Sequence, residues 1–239
     1  YNILLMDGQL DVAMISMLEQ KFEKSRFTRV DSDVIDRLIA KEEHKEANLE
    51  SNQREILSSV FRSQLPQIKK VEFNVETQAL GENGAPIMIT QSEYMRRMKE
   101  MANIQAGMSF YGEMPNMYNL VLNADHKLVK QVLTDADNSC KAALEPIESE
   151  MANLNNRRKE LQKAQEGKKT EDIPQAEKDE LNDIEKKISD ETTKKQAVLG
   201  EYANGNKIIH QLIDLALLQN NMLKGEALTN FVKRSIELI

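Results

Sequence analysis

The apolar stretch from Lys207 to Ile239 constrains this 239-residue chain more than any other part of its sequence. Its first half is apolar around far more of a helix than the ~100° stripe that packs on one core, so this helix needs neighbours on two sides. Gly225 is a candidate end for it, and a second helix with one apolar face follows. The two helices either complete the chain's own core or pair with a second copy as a four-helix bundle. In the second case the predicted interface comprises Ile208, Leu212, Leu215, Leu218, Met222, Phe231, Val232 and Ile236.

Composition narrows the classes of partner. The net charge of −7 disfavours nucleic acid and anionic membranes, and no window holds the roughly 18 consecutive apolar residues of a membrane span. The single cysteine, Cys140, excludes an internal disulfide and is compatible with a reducing compartment. A cytoplasmic location is expected. The chain starts at Tyr1 without a signal peptide, and we expect it to be part of a longer protein.

The first fifty residues predict the end of a domain rather than a complete one. The apolar run at residues 1–6 and the short segment 26–30 predict two strands, and a helical pattern lies between them. A βαβ fragment of this size cannot bury both faces of its strands, so residues 1–31 are predicted to be a domain's tail. Residues 32–50 are strongly charged and predict a connecting helix.

Residues 51–123 predict an α+β unit with a small mixed or antiparallel sheet covered by helices. A helix from Ser51 carries an apolar face and ends before Pro66. Alternating residues predict a strand around Phe73, and the next apolar run, at residues 87–89, is predicted to pair with it in a hairpin-like arrangement. A third strand is predicted at residues 118–122.

The helix that follows the second strand is rich in methionine. Half of the chain's 12 methionines lie between Met95 and Met117, and flexible methionine side chains adapt to irregular apolar partners. They either fill the core of their own domain or form a contact surface with the aromatic residues nearby. The candidates for that surface are Tyr94, Met95, Met98, Met101, Met108, Phe110 and Tyr111.

Residues 134–206 form a long charged segment. Apolar residues at alternating spacings of three and four predict two long helices, and Gly167 and Pro174 mark the turn of an antiparallel helical hairpin. The hairpin is interpreted as a structural decoration or as an arm that docks a partner. A coiled-coil scaffold that assembles through residues 139–203 remains a further alternative.

Several motifs, taken in order, carry a family resemblance. They are KKVEFNVET, PIMIT, SEYMRRMKEM, NLVLNADHKLVK and the terminal NFVKRSIELI. Together they closely resemble the C-terminal dimerization domain of the ninety-kilodalton heat-shock chaperone family, preceded by the end of its middle domain. Ala124 stands where the family's Leu-Asn-Pro-Asp-His turn has proline. The resemblance covers residues 1 to about 133 and 207–239, so residues 51–239 would be the dimerization domain with 134–206 inserted.

The resemblance implies a homodimeric, ATP-driven chaperone that binds unfolded or partly folded client proteins, with the Met-rich helix as their contact. The family binds ATP and Mg²⁺ in other domains, so no catalytic, cofactor or metal site is expected here, and this fragment is not expected to be an enzyme. The terminal residues ELI lack the acidic tail motif that recruits co-chaperones, so that partnership is not expected. The three histidines are scattered, and His126 is expected to cap a helix rather than catalyse.

Overall fold

The computed structural model describes residues 3–6, 8, 10–29, 49–102, 112–166 and 173–237. These ranges contain seven helices and a three-stranded mixed sheet, which confirms the α+β class. The helices are α1 (Asp11–Lys21), α2 (Ser51–Ser63), α3 (Glu93–Ala102), α4 (Lys127–Gln165), α5 (Gln175–Gly205), α6 (Lys207–Gln219) and α7 (Glu226–Glu237). The strands are β1 (Val71–Gln78), β2 (Ile87–Gln91) and β3 (Asn116–Asn123). The predicted connecting helix at residues 32–50 lies almost wholly outside the described residues.

The sheet order is β1-β3-β2, with β1 parallel and β2 antiparallel to the central strand. The predicted hairpin-like pairing of β1 with β2 is therefore wrong. Leu120, Val121 and Leu122 of β3 are completely buried, so this strand takes the position that has neighbours on both sides. Val75, Leu120 and Ile89 lie side by side across the three strands and face the core.

Helix α2 covers this inner face of the sheet. A capping box starts the helix, in which the Glu50 side chain accepts a hydrogen bond from the third residue's amide and Gln53 Oε1 accepts one from Glu50 N at 3.0 Å. Helix α2 contacts β1, α4 and α5, and its apolar face belongs to the main core. Its buried residues are Ile56, Leu57, Val60 and Phe61, as the sequence predicts.

The turn between β3 and α4 is built by three polar side chains. Asn123 is fully buried, where its Oδ1 accepts hydrogen bonds from Leu80 N and Asp125 N, both at 3.1 Å. Asp125 accepts a further hydrogen bond from Gly81 N at 2.9 Å. His126 is the N-cap of α4, since its Nδ1 accepts from Leu128 N at 3.2 Å, and its predicted capping role is confirmed.

The predicted N-terminal βαβ fragment needs correction. Helix α1 is present, but residues 3–6 and 25–29 form no strand. A strand is stable only beside another strand that satisfies its backbone groups, and the described chain places none there. Ile3 and Leu5 consequently remain exposed.

The first C-terminal helix, α6, ends earlier than the sequence predicts. Asn221 adopts the left-handed conformation (φ 56°), and Met222 N donates to Leu217 O at 2.9 Å while Asn221 N donates to Leu218 O at 3.1 Å. These two bonds form a Schellman motif, in which asparagine takes the place that glycine usually holds. Gly225 (φ 61°) lies beyond this motif, next to the start of α7.

Helices α4 and α5 lie side by side along the residues 132–157 and 180–202. Tyr202 Oη lies near Val132 O at 3.5 Å, and Arg157 Nε donates to Glu180 Oε1 at 2.7 Å. The contact near the start of α4 is with the end of α5, and the contact nearer the end of α4 is with the start of α5. The two helices are therefore antiparallel. We refer to residues 147–166 and 173–194 of this pair as the distal arm.

Candidate functional site

Helix α6 has a buried face and an exposed face, and both are apolar. Ile209, Ile213 and Leu217 are buried in the main core, whereas Leu215 and Leu218 are 39% and 37% exposed. The sequence predicts neighbours on two sides of this helix. The core of its own chain covers one side and leaves Leu215 and Leu218 on the other.

Helix α7 continues the exposed apolar face. None of its residues is fully buried, and Val232 and Ile236 are 49% and 70% exposed. Leu228 is also exposed at 36%, although the predicted interface leaves it out. We call the combined surface of Leu215, Leu218, Leu228, Val232 and Ile236 the terminal apolar face.

The remaining residues of the predicted interface have a different environment. Leu212 is only 5% exposed and belongs to the main core of its own chain. Ile208, Met222 and Phe231 are half-buried and pack against that core. Four of the eight predicted residues, Leu215, Leu218, Val232 and Ile236, therefore remain available to a partner.

Polar contacts hold α7 on α6 and fix which side of it faces outward. Arg234 forms an ion pair with Asp214 and donates from Nε to Gln211 Oε1 at 3.1 Å. Gln211 Nε2 donates to Ser235 Oγ at 2.6 Å, and Lys207 Nζ lies 2.7 Å from a carboxylate oxygen of Glu237. With these polar groups engaged between the two helices, Phe231 packs on the core while Leu228, Val232 and Ile236 stay exposed.

The Met-rich helix α3 forms the second candidate surface. Tyr94 is 63% exposed, while Met95, Met98 and Met101 are half-buried. Met108, Phe110 and Tyr111 lie outside the described residues. The structure therefore brings four of the seven predicted residues together on one short helix.

Side-chain contacts tie α3 to the segment around α1, which sequence reasoning missed. Arg97 donates to Glu19 Oε2 at 2.8 Å and to Phe27 O at 2.6 Å, and Phe27 N donates to Glu19 Oε1 at 2.7 Å. The hydrogen bond from Arg97 lowers the pKa of Glu19 below its ordinary value. Leu10, Met14 and Met17 of the α1 region remain exposed, so α1 adds apolar surface beside α3.

Lys99 holds the end of α3 to the start of β3. Its ammonium donates to Met114 O and, at 2.7 Å, to Asn116 Oδ1. Burial lowers the pKa of this lysine. Lysine is common on the surface one turn from a helix end, so the sequence alone does not predict that Lys99 bonds the start of β3.

Two observations concern metal binding and thiol reactivity in the residues that the structure describes. No group of three or more His, Cys, Asp or Glu side chains there could hold a metal ion. Burial raises the pKa of the Cys140 thiol, which disfavours the reactive thiolate. Within the same residues, no helix combines the length and the apolar character that crossing a membrane requires.

Comparison with known proteins identifies relatives over the whole chain. The chain is 70% identical over 239 residues to chaperone protein HtpG of Bacteroides fragilis and 68% identical over 239 residues to that of Bacteroides thetaiotaomicron. It is 46% identical over 241 residues to chaperone protein HtpG of Porphyromonas gingivalis. Neither a protein-family model nor a solved structure matches the chain.

These matches define the class of the relatives as molecular chaperones. The particular relative is HtpG, which confirms the resemblance, and the matches also include residues 134–206, which the resemblance left out. Each match covers 100% of this chain but 35% of the relative, so the chain spans about a third of the length of these relatives.

Proposed function

We propose that this chain is the dimerization and client-contact module of an ATP-dependent molecular chaperone that assists protein folding in the cytoplasm. Residues 51–239 would be the dimerization domain, with residues 134–206 as an inserted antiparallel helical hairpin and residues 1–31 as the end of the preceding domain. ATP and Mg²⁺ would bind elsewhere in the longer protein, so this chain alone should give no heat of ATP binding in calorimetry.

The terminal apolar face is the observation that carries this proposal. Its five side chains are 36% to 70% exposed and lie on two adjacent helices. An apolar surface of this kind on a soluble chain marks an interaction site, and a twofold pairing of two helices with two helices would cover it with its own copy. The likeness to HtpG supports a homodimer as the occupant.

Charged substitution tests the dimer directly. Leu215→Asp combined with Leu218→Asp places two carboxylates in the proposed interface, and sedimentation equilibrium should change from dimer to monomer at low micromolar concentration. The control carries Thr193→Asp and Gln196→Asp, which adds two charges at the same spacing on an exposed helical surface. A dimer that survives the first pair of substitutions would refute the interface.

Client contact through α3 is supported by its half-buried methionines and exposed Tyr94. Replacing Met98 and Met101 with glutamine should weaken the suppression of aggregation of an unfolded client, while the midpoint of thermal unfolding stays unchanged. Met151→Gln, at a half-buried methionine of the arm, is the matched control. Loss of several kcal/mol of stability would instead place both methionines in the core.

The scaffold alternative can be separated from the chaperone proposal by shortening the arm. Leu144 and Leu199 belong to the main core, so a deletion must leave both in place. Removing residues 155–183 and joining the helices with a short glycine-serine turn meets that condition. A chaperone module would keep its dimer, whereas a scaffold that assembles through residues 139–203 would lose it.

A further inference from the structure

The arm formed by α4 and α5 contains two separate apolar clusters. Near its base, Leu144 and Leu199 are 3% and 0% exposed and belong to the main core. Farther along, Leu154, Leu161 and Ile184 form a cluster of their own. The base of the arm is therefore part of the domain core, whereas the buried side chains of the distal arm form a separate cluster between its own two helices.

A buried lysine lies at the border between these clusters. Lys195 of α5 is 4% exposed, and its ammonium lies 2.9 Å from Asn52 Oδ1 and 3.0 Å from Glu55 Oε2, both on α2. Glu148 Oε1 of α4 is 3.1 Å away, as an ion pair without hydrogen-bond geometry. One ammonium group thus joins three helices.

Helix α4 contains Pro146 at the same level and continues past it. Proline has no amide hydrogen, so the bond to the carbonyl of residue 142 is missing, and its ring crowds that carbonyl. Kinks in long helices occur at such positions. Pro146 lies two residues before Glu148, so the weakest point of α4 is next to the point where Lys195 binds it.

Space for movement is present beside the lysine. A groove of about 210 Å³ lies between α2 and α4, and Asn52 and Glu148, two of the partners of Lys195, line it together with Ile56 and Leu144. The carboxylates of Glu55 and Glu148 belong to side chains that are 47% and 37% exposed, so water can solvate both when the lysine leaves them.

We propose that Pro146 is a hinge in the arm and that the contacts of Lys195 with Asn52, Glu55 and Glu148 are the lock that sets the direction of the distal arm relative to α2. A buried ion pair adds little net stability compared with an apolar replacement, and in this proposal its role is to favour one direction of the arm. The two apolar clusters hold α4 and α5 together on either side of Lys195. The contacts of Lys195 between them set the angle of the distal arm relative to α2.

The lever is long enough for the movement to be measured. Residues 146 to 163 extend about 25 Å at 1.5 Å per residue, so a kink of about 20° at the hinge displaces residue 163 by about 9 Å. Spin labels at Lys163 on the arm and Arg62 on α2 report this displacement by pulsed electron resonance. Both side chains are exposed, and a Cys140→Ala background removes the native thiol.

The lock is tested by Lys195→Met, which removes the charge and keeps an unbranched side chain of similar length. Labelled protein is diluted with unlabelled protein so that only distances within one chain are recorded. We expect the distance distribution to broaden or to gain a second maximum shifted by several ångströms, without loss of helical content. Lys194→Met, at the exposed neighbouring lysine, should leave the distribution unchanged. Adding Pro146→Ala to Lys195→Met should narrow it again, since the helix regains its backbone bond.

Two results would overturn the proposal. An unchanged distribution in folded Lys195→Met would show that the lysine does not set the angle. Broadening that persists after Pro146→Ala would place the movement at another position. If Lys195→Met does not fold, Glu148→Gln, at a side chain with partial exposure, replaces it, and the same two results apply to that variant.

Discussion

The two helix pairs of this domain show opposite solutions to burying an apolar stripe. Helices α4 and α5, of 39 and 31 residues, cover their distal stripe with each other, so Leu161 and Ile184 are only 5% exposed. Helices α6 and α7, of 13 and 12 residues, leave Val232 and Ile236 at 49% and 70% exposure. We call α4 and α5 the closed pair, because their distal apolar residues are buried between them, and α6 and α7 the open pair, because their apolar residues remain exposed.

The difference follows from where the apolar residues lie around each helix. A helix with one narrow stripe and charged flanks is satisfied by one partner, as in a coiled coil. Helix α6 is apolar on two sides, so packing on the core leaves its second side uncovered, and α7 adds apolar residues rather than covering them. A pair of this second type needs a further partner, which a single chain does not supply.

The largest expected effect separates the two sides of α6. Leu217→Ala should cost about 2–5 kcal/mol of unfolding free energy, because a fully buried leucine leaves a cavity. Leu218→Ala, one position along, should cost under about 1 kcal/mol, as at other partly exposed sites. Urea unfolding in a Leu215→Asp background, at a protein concentration where sedimentation equilibrium shows a monomer, measures both values without a contribution from dimerization. Equal costs would mean that the chain buries both sides of the helix.

A local effect is expected in the closed pair. Leu161→Ala removes one of the three buried residues of the distal cluster, and we expect about 2 kcal/mol lower local stability, equivalent to roughly 30-fold faster amide exchange. Exchange near residues 154–165 should accelerate, whereas exchange near residues 129–140 should not. Gln162→Ala, at an exposed neighbour, is the control. Acceleration along the whole helix would contradict the separation into two clusters.

The sequence predicts most helices of this domain because their apolar spacing is local information. The buried face of α2, the helix α1 and the cap at His126 all follow from residues within a few positions of each other. The sheet order does not, since only the burial of Leu120 and Leu122 on assembly decides which strand is central. The sequence favours Gly225 as the end of α6, because glycine is the more common residue at that position, whereas Asn221 ends the helix in the fold.

The candidate site divides in the same way. The apolar character of α6 and α7 is evident from the sequence, but Leu212 and Leu215 differ in environment only because the core lies on one side. The contact between Glu19 and Arg97 joins residues 78 positions apart, so no local pattern indicates it. Contacts of this kind depend on the assembled fold.

Helix α1 offers a smaller test, because the ion pair of Glu19 with Arg97 joins it to α3. The folded pKa of Glu19 lies below its ordinary value of 4.5, so its contribution is present above that pH and is lost as the pH falls through the folded value. At neutral pH, Glu19→Gln should cost about 1 kcal/mol, equivalent to roughly fivefold faster exchange in α1. At pH 3, after correction for intrinsic exchange, the difference between the variant and the unmodified protein should be smaller.

The smallest effect is expected at the surface of the closed pair. Arg157 bonds Glu180 across α4 and α5 at 2.7 Å, and this contact lowers the pKa of Glu180, yet both side chains are largely exposed to water. Exposed ion pairs add little because solvent screens them and ordering two long side chains costs entropy. Glu180→Gln should therefore leave the thermal midpoint and the exchange of the distal arm unchanged. A marked loss of protection there would show that the arm is closed by its surface charges rather than by Leu154, Leu161 and Ile184.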